Sequence, residues 1–124
     1  MNAPATSAIP AIGQSFEGGL YAGITLDGEQ RAALVLLPGD EEMSWKKALA
    51  WAGEQGGVLP SRVDGIVLFK NLRAEFKRDW YWTSEEVAGN ADYAWVQYFN
   101  YGYQFSNHKS YDYRCRAVRR VAIV

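Results

Sequence analysis

Tyrosine is concentrated late in this chain, among small polar residues. Five of the eight tyrosines lie within residues 98–113, interspersed with asparagine, serine, histidine and phenylalanine. Tyrosine offers a large, rigid contact area with a polar tip, and asparagine, serine and glycine add adaptable hydrogen bonds, as in antibody paratopes. The chemistry that this segment predicts is therefore non-covalent binding through ring stacking, burial and hydrogen bonding.

Residue types that carry catalysis are sparse and poorly spaced. His108 and Cys115 lie seven positions apart and suggest a base and a nucleophile, but no orienting group or oxyanion donor accompanies them. Adjacent Glu85 and Glu86 would point in opposite directions on a strand, so they do not form a glycosidase pair by themselves. No glycine-rich phosphate loop occurs. The sequence predicts that the protein is not an enzyme, and the accessibility of its single thiol is the test.

Metal-binding residues are equally scarce. One histidine and one cysteine cannot supply the nitrogen and sulfur ligands of a usual zinc site. Calcium needs roughly six to eight oxygen ligands that converge, whereas Asp40, Glu41 and Glu42 are more typical of a loop and the first turn of a helix. We expect neither a metal nor a cofactor.

Composition favours a single domain without affinity for polyanions. The chain has 124 residues, of which 48% are hydrophobic and 22% charged, and its net charge is −1. That charge gives no overall attraction to nucleic acid or to an anionic membrane. The one basic concentration comprises Arg114, Arg116, Arg119 and Arg120, and alternation along a strand would divide it between two faces. This division favours a solvated face or internal ion pairs over a polyanion site.

Targeting signals are not recognisable in the sequence. No apolar run reaches the roughly 18 to 20 residues that span a bilayer, and residues 1–10 lack the basic start and apolar middle of a signal peptide. The single Cys115 cannot form an intramolecular disulfide and is typical of a small buried hydrophobe. We expect synthesis in the cytoplasm, a reducing environment during folding, and no insertion into a membrane.

The first half of the chain predicts a hairpin followed by a helix. Residues 1–11 are predicted to be a flexible segment, and residues 12–124 a single domain. Residues 19–26 and 31–37 are predicted strands, because apolar residues flank an Asp27-Gly28 turn signal. Residues 44–55 are a predicted helix, with Ser44 as N-cap and apolar residues at helical spacing. Gly56-Gly57 is expected to end it.

The second half predicts another helix and then strands. Ser61 and Asp64 have the spacing of a capping box, and the helix that follows is expected to fade near Arg78. Short β-type runs are predicted at 81–84, 94–100, 103–107 and 114–124, separated by segments at 85–92, 101–102 and 108–112. Strands, two helices and an antiparallel meander make an α+β domain.

Several short motifs in this order resemble a known fold. They are Trp45, Ala48 and Trp51 in the first helix, Leu59-Pro60-Ser61, Tyr81-Trp82-Thr83-Ser84, Ala94-Trp95, and the closing Arg114-Cys115-Arg116-Ala117-Val118-Arg119-Arg120. Residues 16–121 resemble a C-type-lectin-like domain of the phage and bacterial family typified by the C-terminal domain of the Legionella collagen-like protein, which is related to the formylglycine-generating-enzyme fold. The resemblance implies paired terminal strands, two flanking helices and a small second sheet whose loops present the binding face. We therefore expect a phage or prophage origin and display on a virion or a cell surface.

A narrower resemblance concerns the tyrosine-rich segment. Variable proteins of diversity-generating retroelements place adenine-derived codons just before a closing Arg-Ala-Val-Arg strand, and undiversified members of the family carry similar tyrosine-rich text. In this chain Gly102, Gln104 and Lys109 interrupt such residues. The ligand-facing set that the resemblance implies is Tyr98, Asn100, Tyr101, Tyr103, Phe105, Ser106, Asn107, His108, Ser110, Tyr111, Asp112 and Tyr113. The activity of formylglycine-generating enzymes is not implied, because it needs a cysteine pair.

The resemblance to lectins leaves two points open, the class of partner and the role of the tyrosines. Calcium-dependent lectins use a Glu-Pro-Asn or Gln-Pro-Asp triplet, and neither occurs in this chain, so we expect binding without calcium. The partner is either a protein or a glycan. The rival to a receptor-binding role is a structural component of a phage particle, in which the same tyrosines form a homo-oligomeric contact.

Trp95 and Phe99 are predicted to belong to the core, whereas Tyr101, Tyr103, Tyr111 and Tyr113 are predicted to contact the ligand.

Overall fold

Two helices and two curled sheets make up the α+β structure, a computed structural model that describes residues 9–123. In chain order the elements are β1 (Ser15–Phe16), β2 (Gly19–Asp27), β3 (Gln30–Leu36), β4 (Glu41–Met43), α1 (Trp45–Glu54), α2 (Arg62–Leu72), β5 (Trp80–Val87), β6 (Asn90–Tyr98), β7 (Gln104–His108), β8 (Tyr113–Cys115) and β9 (Val118–Ala122). The predicted fold class, α+β with two helices, is confirmed. Most of the predicted flexible segment, residues 1–8, lies outside the described residues, as does residue 124.

The first sheet joins the two ends of the described chain. Its strand order is β1-β2-β3-β9 and all its pairs are antiparallel, with Val35 opposite Arg119 in the β3–β9 pair. The β2–β3 hairpin turns at the predicted Asp27-Gly28, where Gly28 has a φ of +64°. Ile9 and Ile123 line one small cavity of this sheet, so the two ends lie close together.

The two helices begin where the sequence indicates. Ser44 is the N-cap of α1, although its side chain makes no capping hydrogen bond. Ser61 and Asp64 form both bonds of the predicted capping box at the start of α2. The predicted end near Arg78 is wrong, because α2 ends at Leu72 and passes through a 3-10 turn (Arg73–Glu75) into extended backbone at Phe76. That change carries the Phe76 ring into the core, where it stacks on Phe99 at 4.0 Å.

The second sheet has the order β4-β8-β5-β6-β7 and, with five strands, is larger than expected. Its pairs are antiparallel except where β5 meets β8 at Tyr81 and Arg114. The short polar strand β4 was not predicted, because only its distant partner β8 holds it extended. The predicted separator at 85–92 is wrong as well, since β5 and β6 continue to a tight turn at Gly89.

The predicted closing strand at 114–124 is in fact two strands in different sheets. β8 belongs to the second sheet and β9 to the first, with buried Arg116 and Ala117 crossing between them. The arginines of this segment are consequently dispersed. Arg114 pairs with Asp40 at 2.7 Å, Arg119 with Glu17 at 3.3 Å and Arg120 with Asp64 at 2.7 Å.

Two clusters of buried side chains fill the space between sheets and helices. The first packs Trp45 and Ala48 of α1 against Trp82, Val96 and Cys115 of the second sheet. The second packs α2 against both sheets and consists of Ala22, Leu34, Leu36, Leu68, Leu72, Phe76, Tyr81, Phe99 and Val118. Trp45 and Trp82 are both buried in the first cluster. Neither helix within residues 9–123 has the length and apolarity required to cross a membrane.

Candidate functional site

Strand alternation divides the predicted ligand-facing residues between two faces of the second sheet. β6 and β7 pair antiparallel, with Val96 opposite Phe105, Ala94 opposite Asn107 and Trp95 opposite Ser106. Because neighbouring residues of a strand point to opposite faces, Phe105 and Asn107 lie on the same face as Val96, and Ser106 lies on the other.

Trp80 is at the centre of the aromatic side of this sheet. Its ring lies 4.4 Å from Phe105, 5.1 Å from Tyr113 and 5.5 Å from Tyr98, all centroid to centroid. The contacts with Phe105 and Tyr98 are edge-on and that with Tyr113 is tilted, and such ring pairs add to the burial energy. The sequence analysis missed Trp80 because it began the strand at Tyr81. The signal was available, since Trp80 and Trp82 share a strand face.

Three tyrosines extend outward from this cluster. Tyr101 is 72% exposed, Tyr111 52% and Tyr103 51%. The rings of Tyr101 and Tyr103 are nearly parallel, with 5° between their planes and 6.4 Å between their centroids. Both lie edge-on to Tyr98. We define the aromatic surface as Trp80, Tyr98, Tyr101, Tyr103, Phe105, Tyr111 and Tyr113.

Tyr113 supports the aromatic surface from below. It is only partly exposed and lies between Trp80 and Trp82, whose centroids are 5.1 and 5.0 Å away. Its hydroxyl accepts a hydrogen bond of 2.6 Å from the Asn107 side-chain amide. Burial, followed by the neighbouring Tyr111, raises the pKa of Tyr113. The phenol is therefore neutral at physiological pH, and its packing role is larger than the predicted contact role.

The remaining predicted residues do not gather with the aromatic surface as one set. Ser106 is opposite Trp95, which carries the Arg62 guanidinium at 3.7 Å from its ring. His108 lies edge-on to Tyr93 at 5.6 Å, and its Nδ1 is 2.7 Å from the hydroxyl of Ser110. The others lie in turns: Asn100 is partly exposed, and Ser110 and Asp112 are exposed.

Phe99 and Trp95 differ in burial, although both were predicted to belong to the core. Phe99 is 4% exposed and stacks with Phe76, as the core prediction requires. Trp95 is only half-buried, because its face of the sheet is covered by Arg62 rather than by a layer of apolar side chains. The core prediction is thus confirmed for Phe99 and correct only in part for Trp95.

The residues that interrupt the tyrosines hold the backbone in place. Gly102 has a φ of +89°, and a Cβ atom there would lie 2.4 Å from the Phe69 ring. The Gln104 amide donates hydrogen bonds of 2.7 Å to the Arg62 carbonyl and to the Gln97 side chain. The β6–β7 connection is therefore fixed against α2 by Gly102 and Gln104, which are less exposed than Tyr101 and Tyr103.

Lys109 fixes the next connection, between β7 and β8. Its ammonium group pairs with Glu86, donates to the Ala91 carbonyl and lies 4.4 Å from the centre of the Trp45 ring. Its backbone accepts a hydrogen bond of 3.1 Å from Trp45 and donates one of 2.9 Å to Asp92. The loop that carries Tyr111 is thereby tied to β6 and to the start of α1.

The Cys115 thiol, which the sequence analysis considered as a nucleophile, is buried in the core. Cys115 is fully buried, and within residues 9–123 its thiol makes one hydrogen bond, to the Glu41 carbonyl at 3.6 Å. Burial, followed by the charge of Asp40, raises the pKa of the Cys115 thiol to about 12. Since the thiolate is the reactive form, this thiol is unreactive at neutral pH. The His108 ring is hydrogen-bonded to the Ser110 hydroxyl and packs edge-on against Tyr93.

No protein-family model matches this chain, and no curated protein matches it either. The aromatic surface itself is therefore the basis for assigning a function. Large exposed rings, polar tips and a fixed backbone are suited to recognition by contact.

Proposed function

We propose that the chain is a non-enzymatic recognition domain of C-type-lectin-like fold, of phage or prophage type, that binds a protein or glycan through the aromatic surface. The motif order and the pairing of β3 with β9 support the fold assignment. The exposure of Tyr101, Tyr103 and Tyr111 is the observation that supports the assignment of a binding function. Rings of this size are seldom left in water together unless something covers them.

Rigidity strengthens this proposal. Gly102, Gln104 and Lys109 hold the two connections that carry the exposed tyrosines. A surface that is ordered before binding loses less conformational entropy when a partner docks, and so binds more tightly for the same contacts.

Diversification by a retroelement extends the same proposal. The exposed positions beside Gly102 and Lys109 are Tyr101, Tyr103, Ser110, Tyr111 and Asp112, and a change of side chain there leaves the contacts of Gly102, Gln104 and Lys109 intact. The test is genomic. An adjacent reverse transcriptase and a near-copy of the codons for residues 98–116 are expected, and absence of both would leave an undiversified member of the fold.

The binding proposal is tested by replacing Tyr101, Tyr103 and Tyr111 with alanine together. We expect loss of binding to glycan arrays or to arrayed bacterial surface proteins, with an unchanged Tm, because the three rings are mostly solvated. The matched control replaces Ile24, Leu49 and Ile66, which are 43%, 37% and 55% exposed elsewhere. Binding retained by the tyrosine variant, or a collapse of its Tm, would contradict the proposal.

The alternative function is a structural component of a phage particle that self-associates through the aromatic surface. The parallel exposed rings of Tyr101 and Tyr103 favour this alternative, since two copies can stack on one another. Sedimentation across a concentration series separates the two functions. A stable oligomer that the triple tyrosine variant abolishes would support assembly, and a wild-type monomer would support recognition.

A further inference from the structure

The edge strands of the two sheets differ in how well they are protected from pairing with another chain. Within residues 9–123 the edge strands are β1 and β9 in the first sheet and β4 and β7 in the second. Exposed edges invite further strands, and proteins usually shorten, charge or cover them. β1 has two residues, and β4 has three, of which two are glutamates. β9 carries Arg119 and Arg120, and Val58 bridges to its first residue.

These protections do not apply to β7. Its five residues read Gln-Phe-Ser-Asn-His, without proline, lysine, arginine, aspartate or glutamate. All five pair with β6 in an unbroken register, and all five are half-buried. Within residues 9–123 no other strand or bridge pairs with the outer side of β7, which we call the β7 edge. It is therefore the edge best suited to extend its sheet.

Backbone alternation decides which groups of β7 point away from β6. At the start of the β6–β7 pair, the Tyr98 N–H donates to the Tyr103 carbonyl at 2.9 Å. Antiparallel partners alternate between hydrogen-bonded and non-hydrogen-bonded pairs. The odd-numbered residues of β7 consequently bond to β6, whereas Gln104, Ser106 and His108 turn their N–H and C=O groups outward.

Of these outward-facing residues, only His108 has its backbone groups taken up locally. Its N–H donates to the Asn107 side chain at 2.9 Å, and its carbonyl accepts from the Tyr111 N–H at 3.2 Å. Within residues 9–123 the outward N–H and C=O groups of Gln104 and Ser106 have no such partner. Two adjacent positions of the β7 edge are thus free to pair with a further strand.

We propose that the β7 edge pairs with the β7 edge of a second copy of this chain, antiparallel, with the two-fold axis at Phe105. In this register Gln104 of each protomer lies opposite Ser106 of the other. Both are outward-facing residues, so they form hydrogen-bonded pairs. The free N–H and C=O groups of both residues are all used, and those of His108 are not needed.

The same register places the two Phe105 side chains opposite each other. They form a non-hydrogen-bonded pair, in which side chains lie closest, and aromatic pairs at such positions stabilise a sheet. Phe105 is half-buried and belongs to the aromatic surface, 4.4 Å from Trp80 and 5.7 Å from Tyr103. The dimer would therefore join two aromatic surfaces into one.

Charge favours a second copy at this edge. In a two-fold antiparallel pair each side chain lies near its own counterpart, so a charged edge such as β4 or β9 repels itself. The β7 edge has no such charge. Arg62, which donates to the Gln104 side chain at 2.9 Å, is accompanied by Glu85, whose carboxylate accepts from the Arg62 backbone N–H at 2.7 Å. The charges beside the edge therefore balance.

The test combines sedimentation with amide hydrogen exchange across a concentration series. We expect a reversible dimer with a Kd on the order of 0.1 mM, in keeping with an interface below the standard size. The amides of Gln104 and Ser106 should exchange rapidly in dilute protein and become protected as the dimer forms. Those of Phe105 and Asn107 should be protected throughout. A monomer at every concentration would overturn the proposal and leave the edge to a strand of another protein.

Substitutions at Ser106 locate the contact. Ser106→Pro removes an outward N–H that β6 does not use, so the fold should persist while the dimer weakens at least about tenfold. Ser106→Thr keeps the N–H and should dimerise like the wild type. If Ser106→Pro does not fold, Ser106→Lys decides, because it sets like charges across the two-fold axis and should weaken the dimer most at low salt. A dimer that is unchanged in the folded variants would overturn pairing at this edge.

The triple alanine variant of Tyr101, Tyr103 and Tyr111 separates this dimer from the aromatic surface. It should keep the dimer, because the Phe105 pair and the backbone bonds remain. An oligomer that this variant abolishes would place the contact on the tyrosines and overturn pairing at β7. Ligand binding and dimerisation are thus measured separately, and either proposal can fail without the other.

Discussion

Asp64 is fully buried, and its carboxylate accepts hydrogen bonds from three separate parts of the chain. The Thr25 hydroxyl of β2, the Ser61 backbone at the start of α2 and the Arg120 guanidinium of β9 all donate to it. Buried charges of this kind need both a counter-charge and full hydrogen bonding. One side chain thus joins the first sheet to the helix that covers it.

Replacing Asp64 with asparagine removes a fully buried charge and the counter-charge of partly buried Arg120. We expect a loss of about 3 to 5 kcal/mol in the free energy of unfolding, measured by urea denaturation. Asp27→Asn is the control, because Asp27 lies 4.0 Å from the same arginine but its side chain is 64% exposed; we expect a loss below about 1 kcal/mol. Similar losses in the two variants would contradict the assigned role of Asp64.

Gly102 allows a second comparison at the scale of one residue. Gly102→Ala is expected to cost about 1 to 3 kcal/mol more than Gly89→Ala, because its Cβ would overlap the Phe69 ring. Both glycines have positive φ, +89° and +79°, but a Cβ at Gly89 meets no atom within 4 Å. The backbone penalty therefore cancels in the difference between the two unfolding free energies. Equal costs would mean that Phe69 moves aside freely.

The burial of individual side chains was the part of the site least accessible to sequence reasoning. Composition located the tyrosine-rich segment, but it could not distinguish exposed Tyr101 from partly buried Tyr113, because their exposure depends on where β6 ends and where β8 begins. Trp80 was missed because the predicted strand began one residue too late, at Tyr81, although Trp80 and Trp82 share a strand face. Arg116 could not be distinguished by sequence from Arg114, Arg119 and Arg120, because the burial and the partners of each arginine depend on residues far away in the sequence.

At the scale of the element, local signals succeeded and long-range pairing did not. The capping box at Ser61 and Asp64 and the Asp27-Gly28 turn act within a few residues, so the sequence indicates them directly. The division of the closing segment into β8 and β9 depends on which distant strand each half meets. Strand β4 was not predicted for the same reason, because its partner β8 is far away in the sequence.

The β6–β7 and β7–β8 connections are predicted to tolerate substitutions at their exposed positions but not at Gly102, Gln104 and Lys109, which fix their backbone. Randomising Tyr101, Tyr103, Tyr111 and Asp112 is expected to leave most variants folded, since exposed positions usually change stability by only about 0.5 kcal/mol each. Randomising Gly102, Gln104 and Lys109 is expected to unfold most variants. Protease resistance of displayed libraries measures the folded fraction in each case. Similar folded fractions would show that the anchors do not hold the connections.

At the scale of the whole molecule, Cys115 reports on the integrity of both sheets. The thiol is expected to resist a disulfide reagent at pH 8 in the native protein and to react fully after denaturation. A single cysteine in the chain makes the readout unambiguous. Rapid labelling of the native protein would contradict the burial of Cys115 and reopen the question of catalysis.

Alkaline pH should destabilise the fold through the same residue. The pKa of the folded-state thiol is raised from 9.0 to about 12, so its contribution to stability is fully present below pH 9. The unfolded chain loses this proton first as pH rises, and the contribution is lost between pH 9 and 12. Urea denaturation from pH 8 to 11 is expected to show a shallower decline for Cys115→Ala than for the wild type. Identical slopes would exclude this linkage.

The closeness of Ile9 and Ile123 has a practical consequence for the connectivity of the chain. A short glycine-rich linker can join these two positions, and new ends can be created at the exposed Ala88-Gly89 turn between β5 and β6. Such a circular permutant keeps every strand pairing described above. Fused to a carrier through its new ends, it would present the aromatic surface in a different orientation from a fusion made through residue 9 or residue 123.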